Sequence, residues 1–240
     1  MRTQIKKSCC LLILLLISMI GFSQRQFHVT IQFMPKLDTN NLQIVAEVGK
    51  GVQNIPVVMK KGKIDITLKV YTKFAYINIT STSNSNQKSY FITKETSSIV
   101  FSPKDKTDKD YPFVNGKLTN AIDIFESDEF KKFHSYVQKE QDGLDYFKNQ
   151  YGDAIKTNPI LTKLYQQLGK NYDTKCMVLI QQNNSEYFYF WLFYSDLQYS
   201  QNTDVSTLLD FYEKDLYPKF KDLYEANTTM EYLKKGRTVN

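Results

Sequence analysis

Residues 187–199 read YFYFWLFYSDLQY and hold eight aromatic side chains, with Trp191 near their centre. If this stretch is helical, apolar side chains cover every side of the helix, which is typical of a segment buried at the centre of a bundle. We therefore expect it to form the core of a helical domain. A surface that binds ligands through aromatic rings is the alternative.

Around this stretch the apolar residues recur every three or four positions, which indicates amphipathic helices. One apolar stripe spans residues 130–151 and is broken only near Gly143, so it predicts one long helix or two short ones. Asn158 is suited to cap a further helix, and Pro159 suits its first position. Gly236, which follows two lysines, predicts the end of the last helix.

The first half of the chain shows a different pattern, with apolar and polar residues alternating in short runs. Polar or glycine-containing turns separate the runs, and no helix lies between them, which predicts an antiparallel β-sandwich. A lipocalin-like barrel is the alternative, but it needs about eight longer strands around a wide lumen. The expected strands cover residues 27–33, 42–48, 55–59, 64–70, 74–79, 89–93 and 98–101.

The two patterns meet at residues 104–110, which read KDKTDKD. Such a charge run is typical of a solvated linker and marks a domain boundary. We thus expect an α+β protein in which an N-terminal antiparallel β-sandwich precedes an α-helical domain. The expected divisions are a signal peptide at 1–24, the β-sandwich at 25–103, the linker at 104–112 and the helical domain at 113–240.

The first 24 residues have the pattern of a secretory signal peptide, with three basic residues, an apolar run over residues 9–20 and a small, polar end. The apolar run is shorter than the roughly 20 residues that cross a bilayer, so an uncleaved anchor is the less favoured alternative. A lipoprotein anchor needs a cysteine directly after the cleavage site, where this chain has Gln24 and Arg25. The pattern predicts a periplasmic or secreted bacterial protein with no membrane span after cleavage.

Charge and composition exclude several classes of function. The chain has 31 Lys and Arg against 25 Asp and Glu, and residues 1–24 hold three of the basic residues and no acidic ones, so the remainder carries a net charge of +3. Nucleic-acid binding is therefore not expected. The only histidines, His28 and His134, fall in different expected domains, which predicts no metal site.

No residue is assigned a catalytic, cofactor-binding or metal-binding role, and no cofactor is expected. Glu126, Asp128 and Glu129 stand where a helix is expected to begin. Acidic side chains at this end stabilise a helix by interacting with its dipole, so they do not indicate catalysis by paired carboxylates. Cys176 is the only cysteine after residue 24. Disulfide exchange needs a second thiol to release the substrate, so we expect Cys176 to be buried and inert, and the protein not to be an enzyme.

Three motifs resemble the front part of exported thioredoxin-like proteins of Bacteroidetes-type bacteria, whose β-domain has no assigned function. Residues 114–120, VNGKLTN, resemble the family's Val-x-Gly-Ser-x-x-Asn entry into the helices, with Lys117 in place of Ser. Residues 182–187, QNNSEY, resemble its Glu-Asn-Pro-Asp-Ser-Tyr turn without the proline. Residues 216–218 and 232–237, LYP and YLKKGR, resemble the helical end that leads into the thioredoxin fold.

In that family a thioredoxin-like domain with a Cys-x-x-Cys pair follows at this point, whereas the present sequence stops at residue 240. The resemblance implies an exported, non-catalytic binding or accessory module with a protein partner in the cell envelope. One alternative is the truncated or split front half of a periplasmic thiol-disulfide oxidoreductase. The other is a binder of a small ligand or glycan in a groove between the two domains.

We expect protein isolated from its native host to begin between Gln24 and Gln26, because signal peptides are removed just after the apolar run. Intact-mass measurement combined with N-terminal peptide sequencing checks this start. Recovery of the full-length chain from the membrane fraction would contradict it.

Overall fold

The computed structural model describes residues 24–34, 41–49, 51–83, 85–102 and 111–236. The expected signal peptide at 1–24, apart from Gln24, lies outside the described residues, and so do residues 104–110 of the expected linker. Among the described residues, no helix combines the length and the apolar character that a membrane span requires. Two sheets and a set of helices make up the described part, which confirms a mixed α+β fold.

The described strands form two sheets. The first sheet has the strand order β4-β1-β7-β8, and the second has the order β3-β2-β5-β6-β9. The strands are β1 (Arg25–Phe33), β2 (Leu42–Glu47), β3 (Val52–Ile55), β4 (Lys63–Val70), β5 (Ala75–Ser81), β6 (Gln87–Ile92), β7 (Thr96–Phe101), β8 (Asn115–Thr119) and β9 (Ala121–Asp123).

Six of the seven expected strands are present, with ends within two residues of the expectation. The prediction of a strand at residues 55–59 is wrong, because β3, which pairs with β2, ends at Ile55. Pro56 lacks the N–H group that a ladder position donates, so pairing stops there. Val57 and Met59 nevertheless pack against the core, which explains why their alternation resembled a strand.

The expected α-helical domain at 113–240 begins with strands rather than helices. Strands β8 and β9 lie within residues 115–123, and the helices begin only at Asp128. Strand β8 pairs with β7 in the first sheet, and β9 pairs with β6 in the second. Both are short edge strands, and most side chains of β8 are exposed or half-buried. Their sequence therefore lacks the apolar alternation that reveals a strand.

One ladder departs from the expected antiparallel arrangement. Strand β1 pairs with β4 antiparallel but with β7 parallel, and Ile31 lies opposite Ile99 in the parallel register. Side chains alternate with a period of two in both kinds of ladder, so the sequence pattern does not carry the direction of pairing.

Side chains from both sheets belong to one cluster of buried apolar residues. Phe27 and Ile31 of β1, Ile44 of β2, Ile77 of β5 and Ile99 of β7 are each at most 1% exposed. The alternation of the sequence thus places one face of each sheet in a shared core.

The helices follow the strands in the chain. The stripe at residues 130–151 forms one helix that runs through Gly143, and the Asn158 side chain accepts hydrogen bonds from the N–H groups of Ile160 and Leu161, as its capping role predicts. The helices are α1 (Asp128–Tyr151), α2 (Ala154–Thr157), α3 (Pro159–Gln182), α4 (Tyr187–Ser195), α5 (Val205–Phe211), α6 (Tyr217–Phe220) and α7 (Tyr224–Lys234), and a π-helical turn (Tyr212–Leu216) joins α5 to α6.

Helix α4 forms residues 187–195 of the aromatic stretch, and the expected burial is confirmed for most of this helix, whereas Tyr199 at the end of the stretch is 51% exposed. Phe190 and Phe193 are fully buried among the other helices. On another side of α4, Trp191 stacks on Tyr76 of β5 with ring centroids 5.7 Å apart, and it meets Phe91 of β6 edge to face at 5.0 Å. The helices therefore form their core together with the outer face of the second sheet.

A buried ion pair holds the short strand β9. The Nζ atom of Lys88 lies 3.2 Å from Oδ2 of Asp123, and the two side chains are 10% and 3% exposed. Asn115 of β8 donates to the same oxygen at 2.7 Å, and the N–H of Phe125 donates to Oδ1 at 3.1 Å. These polar contacts connect β6, β8, β9 and the entry into α1.

We expect Lys88→Met to lower the free energy of unfolding by about 3 kcal/mol, because the buried Asp123 carboxylate loses its counter-charge. Lys131→Met is the matched control: Lys131 pairs with Glu126 at 3.3 Å but is 57% exposed, so a loss of about 0–1 kcal/mol is expected. Urea denaturation at neutral pH, followed by circular dichroism, measures both variants. Equal losses would contradict the structural role of the buried pair.

Candidate ligand-binding cleft

A cleft of about 360 Å³ lies between the second sheet and the helices. We call it the tyrosine cleft. Its sheet side is the end of β2 and the turn into β3, and its helix side is the end of α4, the 3₁₀ turn at Leu197–Tyr199 and helix α7. The lining residues are Glu47, Gly49, Gly51, Val52, Tyr194, Gln198, Tyr199, Thr228, Thr229 and Tyr232.

Three tyrosines give the tyrosine cleft its aromatic surface. The rings of Tyr199 and Tyr232 lie 5.3 Å apart between centroids and are tilted by 57°, and Tyr199 is 51% exposed. Burial, together with the negative charge of Glu47, raises the pKa of Tyr194. The Tyr194 phenol therefore stays neutral at physiological pH and keeps the hydroxyl proton that it donates to Glu47.

Glu47 is the carboxyl group of the tyrosine cleft. Burial raises its pKa, a hydrogen bond with Tyr194 acts in the opposite direction, and the charge of Glu225 adds to the increase. Glu225 is fully buried, and its Oε1 accepts hydrogen bonds from the Lys73 N–H at 2.9 Å and from the Tyr187 hydroxyl at 2.8 Å. A carboxyl group thus lines the cleft beside a second, deeply buried one.

Gln198 supplies an acceptor that the described protein atoms leave unused. Its side chain is 2% exposed and its Nε2 donates to the carbonyl oxygen of Tyr194, but its Oε1 has no hydrogen-bond partner among the described residues. An unpaired buried acceptor costs about 1–3 kcal/mol, and a donor group placed against it would offset that cost.

Gly49 shapes the wall of the tyrosine cleft. Its φ of +87° lies in the left-handed region, and a Cβ atom at this position would stand 2.9 Å from Cγ2 of Thr72. Only glycine therefore lets this turn pass so close to the segment between β4 and β5. Residue 50 of the same turn lies outside the described residues.

The candidate residues from the sequence do not form a catalytic group in the described part of the chain. His28 lies on β1, where its Nδ1 is 3.2 Å from the Thr67 hydroxyl, and His134 lies on α1 against the ring of Phe130. Asp128 and Glu129 occupy the first turn of α1, as predicted. Among the described residues, no group of three or more His, Cys, Asp and Glu side chains is arranged to hold a metal ion.

Sequence reasoning missed most of the tyrosine cleft. Glu47 and Tyr232 are far apart in the chain, and nothing in their neighbourhoods marks them as partners. Tyr194 and Tyr199 belong to the aromatic stretch at residues 187–199. The only signal in the sequence was therefore the alternative prediction that this stretch binds ligands through its aromatic rings. The end of α4 and the turn after it line the tyrosine cleft, while the middle of the helix is buried in the core.

Scans of the chain against protein-family models, curated proteins and solved structures found no match. The resemblance to thioredoxin-like proteins therefore stays a prediction from the three sequence motifs.

Cys176 on α3 is 4% exposed, and burial raises the pKa of its thiol to about 12. The thiolate is the reactive form of cysteine, and a group with this pKa is almost entirely protonated at neutral pH. The structure therefore gives Cys176 a packing role among the helices.

We expect iodoacetamide at pH 8 to modify Cys176 at least about 100-fold more slowly in the folded chain than in concentrated urea, because the thiol is buried and protonated. The rate is followed by mass spectrometry, with reduced glutathione as an exposed thiol in the same tube. We also expect no acceleration of insulin reduction by dithiothreitol. Rapid native labelling, or turnover that Cys176→Ser abolishes, would identify a working nucleophile instead.

Proposed function

We propose that this chain is a non-catalytic binding module whose tyrosine cleft holds a small ligand rich in hydroxyl groups, such as a sugar unit of a glycan. The observation that carries the proposal is the convergence of three tyrosines, the Glu47 carboxyl group and the unpaired Gln198 Oε1 in one cleft of about 360 Å³. Small-molecule sites typically enclose about 300–1,000 Å³ and combine apolar walls with a few polar groups.

The chemistry of a sugar matches both parts of this lining. The C–H groups of a sugar ring carry partial positive charge and pack on the electron-rich faces of tyrosine rings. Its hydroxyl groups donate to carboxyl and amide oxygens, such as those of Glu47 and Gln198 in this lining. A fully apolar ligand would fill the same volume but would form no hydrogen bonds with these oxygens, so it would gain less from the cleft.

The proposal includes a β-sandwich as the scaffold on one side of the cleft. The shared core of the two sheets supports this, since buried side chains of β1 and β7 from the first sheet join those of β2 and β5 from the second. In this arrangement the second sheet is the middle layer, with the first sheet on one face and the helices on the other.

Export to the periplasm or the outside of the cell is part of the same proposal, because envelope glycans are exposed there. The signal-peptide pattern at residues 1–24 supports export, and the three motifs support a relationship to thioredoxin-like proteins as an accessory module. The buried, protonated Cys176 favours a non-catalytic module over the front half of an oxidoreductase.

We expect saturation-transfer NMR with a panel of mono- and disaccharides to detect binding to the purified chain, and calorimetry to give the affinity. Tyr199→Ala removes one aromatic face and is expected to weaken binding about threefold to tenfold. Tyr146→Ala is the matched control, since Tyr146 is 70% exposed on α1 and does not line the tyrosine cleft. Equal affinity of the two variants, or a panel without any binder, would contradict the proposal.

A further inference from the structure

A second depression, of about 340 Å³, lies where the outer face of β6 meets the starts of α1 and α4. We call it the acidic groove. It shares no lining residue with the tyrosine cleft. The aromatic residues Phe74, Phe91, Tyr187 and Phe188 line it together with Ile122, Ser127, Glu129 and Glu186.

The aromatic side chains of the acidic groove are fixed by one another. The ring of Tyr187 meets Phe74 edge to face at 4.8 Å and Phe91 at 6.0 Å between centroids. Phe91 in turn meets Trp191 at 5.0 Å. Because these rings are held before any partner arrives, little side-chain entropy is lost when something packs on them.

The same rings already bind one positive charge of the chain itself. The Nζ atom of Lys73 lies 5.4 Å from the centroid of Phe74 and 5.2 Å from that of Tyr187. Distances below about 6 Å allow a cation–π attraction. The aromatic cluster therefore has the electrostatic character that attracts a cation.

The acidic groove also contains two carboxylates, in addition to the Lys73 ammonium on its rings. Neither Glu129 nor Glu186 forms an ion pair with another described residue. The nearby Lys132 donates to Oδ1 of Asn183 at 2.8 Å and lies 5.9 Å from the ring of Tyr189. Two carboxylates without an ion-pair partner among the described residues thus stand beside a pre-formed aromatic surface that carries one ammonium group.

From this juxtaposition we propose that the acidic groove receives a lysine or arginine side chain of a partner polypeptide. The aliphatic stem packs on the rings, and the charged end reaches Glu129 and Glu186. Arginine is the better fit, because its planar guanidinium stacks on aromatic faces and binds carboxylates through paired hydrogen bonds. An apolar occupant would remove water from both carboxylates without replacing it, and an anion would be repelled.

The fluorescence of Trp191 can report binding in the acidic groove. It is the only tryptophan of the chain, and its ring lies 5.0 Å from Phe91 and 6.1 Å from Phe188, both of which line the groove. We therefore choose tryptophan fluorescence to follow titrations of the purified chain with Nα-acetylargininamide. The citrulline analogue is the control probe, because it keeps the shape of arginine and lacks its charge.

We expect a saturable fluorescence change with the arginine probe, an apparent affinity at least about fivefold lower for the citrulline probe, and weaker binding in high salt. The double substitution Glu129→Gln and Glu186→Gln is expected to lower the arginine affinity at least about fivefold. Asp128→Asn is the matched control, since Asp128 lies in the same first turn of α1 but outside the groove, and it is expected to leave the affinity unchanged.

Three results would overturn this proposal: no saturable change with the arginine probe, equal binding of arginine and citrulline, or unchanged affinity in the double variant. A thermal melt establishes that each variant is folded. If the double variant does not fold, the comparison of the two probes on the unaltered chain decides alone.

Discussion

The second sheet buries side chains on both of its faces, and the rest of the described structure depends on that requirement. In β6, Tyr90 and Ile92 enter the core shared by the sheets, while Phe91 between them enters the core shared with the helices. A sheet with two apolar faces needs a covering layer on each. Helix α4 supplies part of the outer layer, and for this reason its own sequence is aromatic on every side.

The nine residues of α4 also explain where the two depressions lie. A helix of that length rises by about 13 Å, which spans only part of the sheet that it covers. Tyr187 and Phe188 at its start line the acidic groove, and Tyr194 near its end lines the tyrosine cleft. The two depressions therefore lie at opposite ends of α4.

The sequence predicted those parts of the fold in which one face of an element is apolar and the other polar, as in β1, β4 and the capped start of α3. It failed for β8 and β9, because edge strands with exposed side chains carry no alternation, and for residues 55–59, because Pro56 stops a ladder that the pattern alone would extend. The tyrosine cleft was out of reach for another reason. Its walls come from the turn after β2 and from α7, and only the packing of α4 on the sheet brings those segments together.

Glu225 on α7 interacts with one lining residue of each depression. Its Oε1 accepts from the hydroxyl of Tyr187, which lines the acidic groove. Burial raises the pKa of Glu47 in the tyrosine cleft, and the charge of Glu225 adds to that increase. The N–H of Lys73, whose ammonium lies over the groove's aromatic rings, donates to the same oxygen. Because electrostatic interactions are screened less inside a protein than in water, the Glu225 carboxylate influences the ionisation of Glu47 while it also accepts the hydrogen bond from Tyr187. A single buried carboxylate therefore links α7 to α4 and to the segment between β4 and β5, and it also contributes to the raised pKa of the carboxyl group in the tyrosine cleft.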